Sequence, residues 1–580
     1  MKIVYLIIKI LLIIGIILLK KTKEKTSIVS SIVLTILFNF SLNVFACYIL
    51  KVIDLVFSLK NLAIIYLPIT LLVYYKIYKD KEIQKFYFDK NDLIAAICFL
   101  ILIFGLVVYI NGWDFGAFEY GHDYTVHFQM MNDYITSNKL EGRHSWYSNA
   151  AIMVETFINN QTVYRYRVVK IFDYTIMSLI GFLCYKLINI KKNLADCFIS
   201  IGISMLILLA YPLNALLFGF NYLYMGIMFI LAQLYIIAFS KMNKTYKYIA
   251  IFLLNFSIVH SYYYLAIGLY LGLLIYYIIK WKKDGEKIFN LEHILFGLIC
   301  FAFPFLDIII SDFLLKTNKE LNERISAEGA IYKSYFFNST FLIPFLIYSI
   351  KDFKKDKTFP LFITILAYVL FTILTFFVYK KGHLSEYGFF KTYYILAPLV
   401  FVFASYGIFK FIKKYGYIKS LLGIGAYFVI MLFIYSKLIY KEVDFNPTII
   451  NNNEVNKANP LNMLEVYKHN EYILWLPAYM NKNYFEILEY IYNNIEDRDC
   501  RNVCLVGYEK YSGVYSCLVD TSEDTIPKLY LNVPVEEQGF KYILYDKKFM
   551  KLRNRTLSIN PEKWEVVMEN DYGILYKLVK

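Results

Sequence analysis

Residues 359–379 read FPLFITILAYVLFTILTFFVY, and no charge interrupts them. A helix of about 20 apolar residues crosses the hydrocarbon core of a bilayer. In lipid a helix also satisfies its own backbone hydrogen bonds, so the stretch reads as a transmembrane helix rather than a core strand. It is preceded by Lys351, Lys354, Lys355 and Lys357 and followed by Lys380 and Lys381. Runs of the same kind recur along the chain, among them Ile94 to Ile110 and Phe198 to Leu216. The composition agrees: of 580 residues 58% are hydrophobic, 19% aromatic and only 18% charged, an apolar excess over soluble domains.

Reading outward from that run, the chain divides into fourteen apolar segments, at about 3–19, 27–50, 61–78, 92–111, 170–189, 196–216, 221–240, 247–262, 263–280, 291–311, 338–350, 359–379, 392–410 and 418–440. The fold class expected is an α-helical polytopic membrane protein of about fourteen spans over residues 1–440, with a small C-terminal α/β domain over 441–580. The first segment reads as a retained helix. Its apolar stretch is long, no small-residue cleavage site follows, and Lys20, Lys21, Lys23 and Lys25 come after it.

The formal charge of +15 raises nucleic acid as a partner, but its distribution excludes that reading, because the lysines sit in short clusters at the ends of apolar runs. Those clusters alternate. Lys20 to Lys25, Lys76 to Lys90, Lys186 to Lys192, Lys241 to Lys247, Lys280 to Lys287, Lys351 to Lys357 and Lys410 to Lys419 fall on every second loop. The positive-inside rule places these in the cytoplasm, and both chain ends outside. Four regions then face outward: the loop 112–169, the loop 311–337, the turn 380–391 and the tail from about Lys441. In the tail, Val503 to Val506, Tyr542 to Tyr545, Glu565 to Met568 and Ile574 to Leu578 read as strands, and Tyr484 to Ile495 as a helix. The tail has no Gly-rich phosphate loop and no nucleophile elbow. Five of the eight cysteines lie in or beside apolar runs, and Cys500, Cys504 and Cys517 have no metal spacing, so neither a disulfide nor a zinc site is expected.

The loop 112–169 is the densest polar region of the membrane half, with Glu119, Asp123, Asp133 and Glu155 and three of the seven histidines, His122, His127 and His144. A helix starting at Asp123 puts Asp123 and His127 on one face at i, i+4 spacing. Such a pair could share a proton, hold a divalent cation, or simply cap and pair. An acidic residue in an exposed loop is usually solvated, and Asp133, Glu155 and His144 are read that way. Asp307 lies inside the tenth apolar run, where a carboxylate must face protein or a polar cavity.

A membrane protein with about a dozen helices, a long acidic outer loop and an outward C-terminal domain resembles the GT-C superfamily of membrane glycosyltransferases. The stretch Gly121-His122-Asp123-Tyr124-Thr125-Val126-His127 is similar to the Asp-x-x-x-His motif of bacterial members. The stretch Gly382 to Lys391 resembles their late outer loop, and Glu569 to Tyr576 the end of their tail. Two features differ. The loop here follows the fourth apolar segment where the family has it after the first, and Glu119 and Asp123 stand four residues apart where characterised members have a tight acidic pair.

The resemblance implies transfer of a sugar from a polyprenyl-phosphate donor to a glycan or lipid acceptor in the cell envelope. Asp123 would be the catalytic base, Glu119 its substitute, and His127 a group that orients it or helps hold a divalent cation. His260, His383 and Lys391 are candidate substrate contacts, and Arg165 and Arg167 are read as interfacial anchors. Two other classes stay open. A flippase or transporter of lipid-linked saccharides would line its path with charges, in which the segments are poor. A non-catalytic envelope assembly protein would use the tail to bind a partner.

Overall fold

The structure is a computed structural model that describes residues 1–111, 113, 117–119, 127–128, 130–131, 134, 151–152, 154, 162–188, 193–210, 212–217, 219–310, 342–350, 358–442, 448–451, 454–457, 478–480, 482–498, 502–506, 515, 519, 535–547, 550 and 559–579. It is mainly helical. The N-terminal helices are α1 (Lys2–Leu18), α2 (Ile28–Val52), α3 (Leu59–Asp80) and α4 (Lys90–Asn111). Serines cap two of them: Ser27 accepts from the Ser30 amide and Ser58 from the Asn61 amide. Beyond the outer loop come α5 (Thr162–Ile188), α6 (Leu194–Ala210), the short α7 (Pro212–Leu217), α8 (Asn221–Phe239) and α9 (Lys244–Lys283).

The apolar segments 247–262 and 263–280 are two arms of α9, which bends where Tyr262 leaves the helical region at φ −161°, ψ 94°. Short α10 (Leu291–Gly297) and α11 (Phe303–Ile308) are joined by a π-helical turn, Leu298–Ala302. Then follow α12 (Ile343–Ile350), α13 (Phe359–Lys380), α14 (Glu386–Lys391), α15 (Tyr393–Tyr415) and α16 (Tyr417–Glu442). Seven helices among the described residues are long and apolar enough to cross a membrane, and three shorter apolar helices accompany them. The chain is a multi-pass membrane protein. Small residues bring the helices together: a Cβ on Gly272 of α9 would lie 2.8 Å from Thr364 Cα of α13, and one on Gly407 of α15 would lie 2.0 Å from the Phe345 carbonyl oxygen of α12.

The loops sort to two ends of the bundle. At one end the two-residue strands β1 (Thr26–Ser27) and β2 (Phe86–Tyr87) pair in parallel, Lys20 meets Glu82, Lys241 meets Glu24, and Lys244 meets Glu292. The Asn243 amide also donates to the Lys21 carbonyl at 2.9 Å. These loops carry the lysine clusters Lys20 to Lys25, Lys76 to Lys90 and Lys241 to Lys247, while Lys351 to Lys357 lie outside the described residues. A buried ion pair braces this end: Lys186 lies 3.0 Å from Asp92, which also accepts a 2.6 Å bond from Ser30.

At the other end lie the described parts of the loop 112–169 and of the tail. Strand β3 (Ala117–Glu119) pairs antiparallel with β6 (Ala478–Met480), Glu119 opposite Ala478. The tail also holds the small hairpin β4 (Thr448–Asn451) and β5 (Glu454–Lys457). Its main sheet contains β7 (Val503–Val506), β8 (Tyr542–Asp546), β9 (Trp564–Glu569) and β10 (Gly573–Leu578) in the order β7-β8-β10-β9, with β7 and β8 parallel and the others antiparallel. Helix α17 (Lys482–Asn494) packs on this sheet through Tyr484 and Tyr572, whose rings lie 4.6 Å apart, and through a 2.7 Å bond from Asn570 to the Asn483 carbonyl. All four strands and the helix fall where the apolar alternation predicts them. The six described cysteines are free thiols.

Candidate functional site

The turn between α7 and α8 sets the site's geometry. The Gly219 amide bonds back to Leu216 and that of Phe220 to Ala215, which forces Gly219 to φ +75°, a conformation glycine adopts without strain. Its carbonyl then faces the outer-loop residue His127, whose Nδ1 lies 2.9 Å away. Since a carbonyl only accepts, Nδ1 carries the proton, and Nε2 of the neutral ring is the basic nitrogen. The ring is buried and stands edge-on to Tyr222, centroids 5.2 Å apart. Burial, with nearby Lys391 adding repulsion against the bond to Gly219, pushes the His127 pKa down to about 3. An imidazole that holds its proton so weakly is a hydrogen-bond acceptor at neutral pH, not a proton store.

Lys391 reaches the same tyrosine. Ser385 caps α14 by accepting from the Gly388 amide at 3.1 Å, and the helix carries Lys391 inward to 4% exposure. Its ammonium donates to the Tyr222 hydroxyl at 2.7 Å. The ring centroids of Tyr387 (4.0 Å), Phe220 (5.1 Å), Tyr222 (5.1 Å) and Tyr262 (5.2 Å) surround it. Such an aromatic box stabilises a desolvated cation, each face contributing roughly 0.5–2 kcal/mol. Two further groups at this end are fully buried with no hydrogen-bond partner among the described residues: the side-chain amide of Asn221, first residue of α8, and the hydroxyl of Ser261 at the bend of α9. Unsatisfied buried groups cost roughly 1–3 kcal/mol each, which makes them candidates to face a polar ligand.

The other sequence candidates scatter. His260 is buried inside α9, two residues before the bend, its ring 4.2 Å from Phe256 and 5.2 Å from Tyr48. His383 is exposed in the turn after α13 and stands apart from the cluster. Arg165 is buried in α5, and the Arg167 guanidinium lies 4.3 Å over the Phe485 ring, so Arg167 touches the tail. Glu119 is placed only by its backbone in β3. Asp123, Asp133, His144, Glu155, Cys500, Cys517 and the side chain of Asp307 lie outside the described residues, as does the loop 311–337.

Sequence reading passed over two buried charges: Lys9 in α1, and Asp173 in α5, which accepts a hydrogen bond from Tyr224. Both stand inside apolar runs, and that alone marks them, because a charge in a membrane segment is expensive. A divalent cation fits the described donors poorly. They comprise one imidazole beside an ammonium, and no group of three or more metal-ligating side chains occurs among the described residues.

No protein family model matches the chain, and no curated protein does either. Among solved structures it is similar to the archaeal oligosaccharyltransferase AglB from Archaeoglobus fulgidus in complex with an inhibitory peptide and a dolichol-phosphate, at 12% identity and a TM-score of 0.38, over 80% of this chain and 71% of that one. A second is the Archaeoglobus fulgidus oligosaccharyltransferase in complex with Zn and sulfate, at 12% identity and a TM-score of 0.38, over 79% and 68% of the two chains. A likeness this distant assigns no activity, and the functional reading rests on the chain's own residues.

Proposed function

We propose that the protein is an integral membrane glycosyltransferase that takes a sugar from a polyprenyl-phosphate donor on the extracytoplasmic face and passes it to a cell-envelope glycan or lipid. The observation that carries this reading is the meeting at Tyr222 of His127, from the loop that bears Asp123, and the buried cation Lys391. A lipid-borne phosphate presents its anion at the end of a bundle, at the depth where a buried lysine can neutralise it. Asn221 and Ser261 supply polar atoms at the same end.

In this reading all fourteen apolar segments cross or enter the membrane, the lysine-rich end is cytoplasmic, and the tail over 441–580 is outside with the loop 112–169. Transfer needs a base to deprotonate the acceptor hydroxyl and positive charge on the departing phosphate. Asp123 is the base, with Glu119 as substitute. Lys391 takes the phosphate, and His127, neutral at physiological pH, accepts a hydrogen bond from the acceptor or orients Asp123. His260 lines the inner wall, and His383 meets the headgroup at the rim. A divalent cation, where one is used, would need Asp123 and further ligands from the outer loop.

Asp123→Asn tests the assignment. The expected result is loss of a surface glycan with unchanged amounts of protein in the membrane. An unchanged glycan in that variant and in Glu119→Gln would remove the enzyme reading and favour a transporter or an assembly protein.

A further inference from the structure

Helices α1–α3 precede the acidic loop, and the structure gives them a joint feature that packing alone does not require. Lys9, in the middle of the apolar helix α1, is 4% exposed and donates to Asn43 Oδ1 of α2. The Tyr66 hydroxyl of α3 donates to the same oxygen at 2.7 Å, and the Lys9 ammonium lies 4.1 Å from the Tyr66 ring centroid. With two donors fixed on its oxygen, the Asn43 amide has one orientation left. Its Nδ2 donates to the carbonyl of Ala151, in the outer loop, at 3.2 Å.

Asn43 and Tyr66 are fully buried, and so are Ala151, Ile152 and Val154. Lys9, Asn43 and Tyr66 each sit about two turns or slightly more from the helix ends nearest the loop, roughly 10–14 Å at 1.5 Å per residue. Ala151, Ile152 and Val154 therefore sit inside the bundle. A second contact holds the loop above them, where the Tyr134 ring meets Phe57, between α2 and α3, at 6.5 Å. A lysine at that depth costs several kcal/mol in desolvation. Leucine would pack α1 as well, so the residues serve what they hold.

We propose that α1–α3 are a docking frame for the catalytic loop, with Lys9 and Asn43 as positioning residues: Lys9 and Tyr66 orient the Asn43 amide, and Asn43 seats the loop through Ala151. The role in transfer rests on the reading that this loop bears the chemistry. The seating does not. The frame also accounts for the loop's place after the fourth apolar segment, since three helices are needed ahead of it to build the hub.

The variant Asn43→Asp separates the two functions of the amide. It keeps an acceptor for Lys9 and Tyr66 and removes the donor to Ala151. In full-length protein in its native membrane, Ile152→Cys is probed with a membrane-impermeant maleimide, and the labelled peptide is mapped by mass spectrometry. Labelling is expected to rise at least tenfold in Asn43→Asp and in Lys9→Met, and two- to threefold in the milder Tyr66→Phe, which loses one donor of two. Equal protection of Ile152→Cys in Tyr66→Phe and in whichever of the other two accumulates overturns the docking frame.

In transfer assays of Asn43→Asp, the rate at saturating donor should fall at least tenfold while the half-saturating donor concentration stays within twofold, because Lys391 is untouched. A change confined to half-saturation contradicts a positioning role. Raised labelling with a normal surface glycan would leave the docking frame standing and remove the loop from the chemistry.

Discussion

Replacing Lys391 by methionine separates packing from chemistry at the centre of the site. The ammonium donates to Tyr222 at 2.7 Å, a charged hydrogen bond worth roughly 1.5–3 kcal/mol, and the four rings, whose contacts do not sum because they share one ammonium, add about 2 kcal/mol more. Against these stands a desolvation cost of several kcal/mol for an ion at 4% exposure. The terms nearly cancel, and methionine keeps the stem's volume inside the aromatic box. Stability should therefore change by less than about 2 kcal/mol. A cation lost from the departing phosphate costs about 3–4 kcal/mol of transition-state stabilisation, or 10²–10³ in rate. Lys391→Arg restores the charge but not the compact single donor, so about a tenfold deficit is expected. The assay is the initial rate of sugar transfer in native membranes, beside thermal unfolding in detergent. Full transfer by Lys391→Met at normal abundance would refute the phosphate role. Loss of the folded protein would refute the packing estimate.

The depressed pKa of His127 makes the folded state sensitive to acid. The unfolded chain takes up the proton near pH 6.5 and the folded one near 3, so stability falls as pH drops through that window, by about 2 kcal/mol at pH 5. His127→Leu should flatten the acid limb of a melting-temperature profile between pH 7 and 4; an unchanged limb would place the buried proton elsewhere. Lys186→Met strands Asp92 without its ion-pair partner and should cost about 3–5 kcal/mol, whereas Lys186→Met with Asp92→Leu should recover most of it in the same unfolding assay. Gly407→Ala drives a Cβ to 2.0 Å from the Phe345 carbonyl and should destabilise the packing of α12 on α15 by about 1–3 kcal/mol or more, read as a lower melting temperature.

Long unbroken apolar runs and period-two alternation are local signals, and they carried far in this chain. The four strands of the tail's main sheet and the helix at Lys482–Asn494 stand where that patterning puts them. The lysine clusters Lys20 to Lys25, Lys76 to Lys90 and Lys241 to Lys247 sit on loops that gather at the end where Lys20 meets Glu82. The bend at Tyr262 falls where the apolar segments 247–262 and 263–280 divide, although no proline or glycine marks it. In the site, Lys391 was visible as a polar residue at a segment end, and His127 through its i, i+4 spacing from Asp123. Their common partner Tyr222 was not, since it is one of 56 tyrosines and meets Lys391 across 169 positions of sequence. Lys9 and Asp173 could have been found by asking of every apolar run which charge it tolerates. The pairing of β3 with β6 joins strands of three residues each, too short for alternation to announce.

The central claim is that this bundle transfers sugar from a lipid phosphate by means of the loop that bears Asp123. Release of polyprenyl phosphate from a polyprenyl-phosphate-linked sugar, measured for the purified full-length protein in bilayer discs with envelope acceptors added, tests it most directly. The account predicts acceptor-dependent release by the native chain and at least a hundredfold slower release by Asp123→Asn; release that is absent from both, or equal in both, would contradict it.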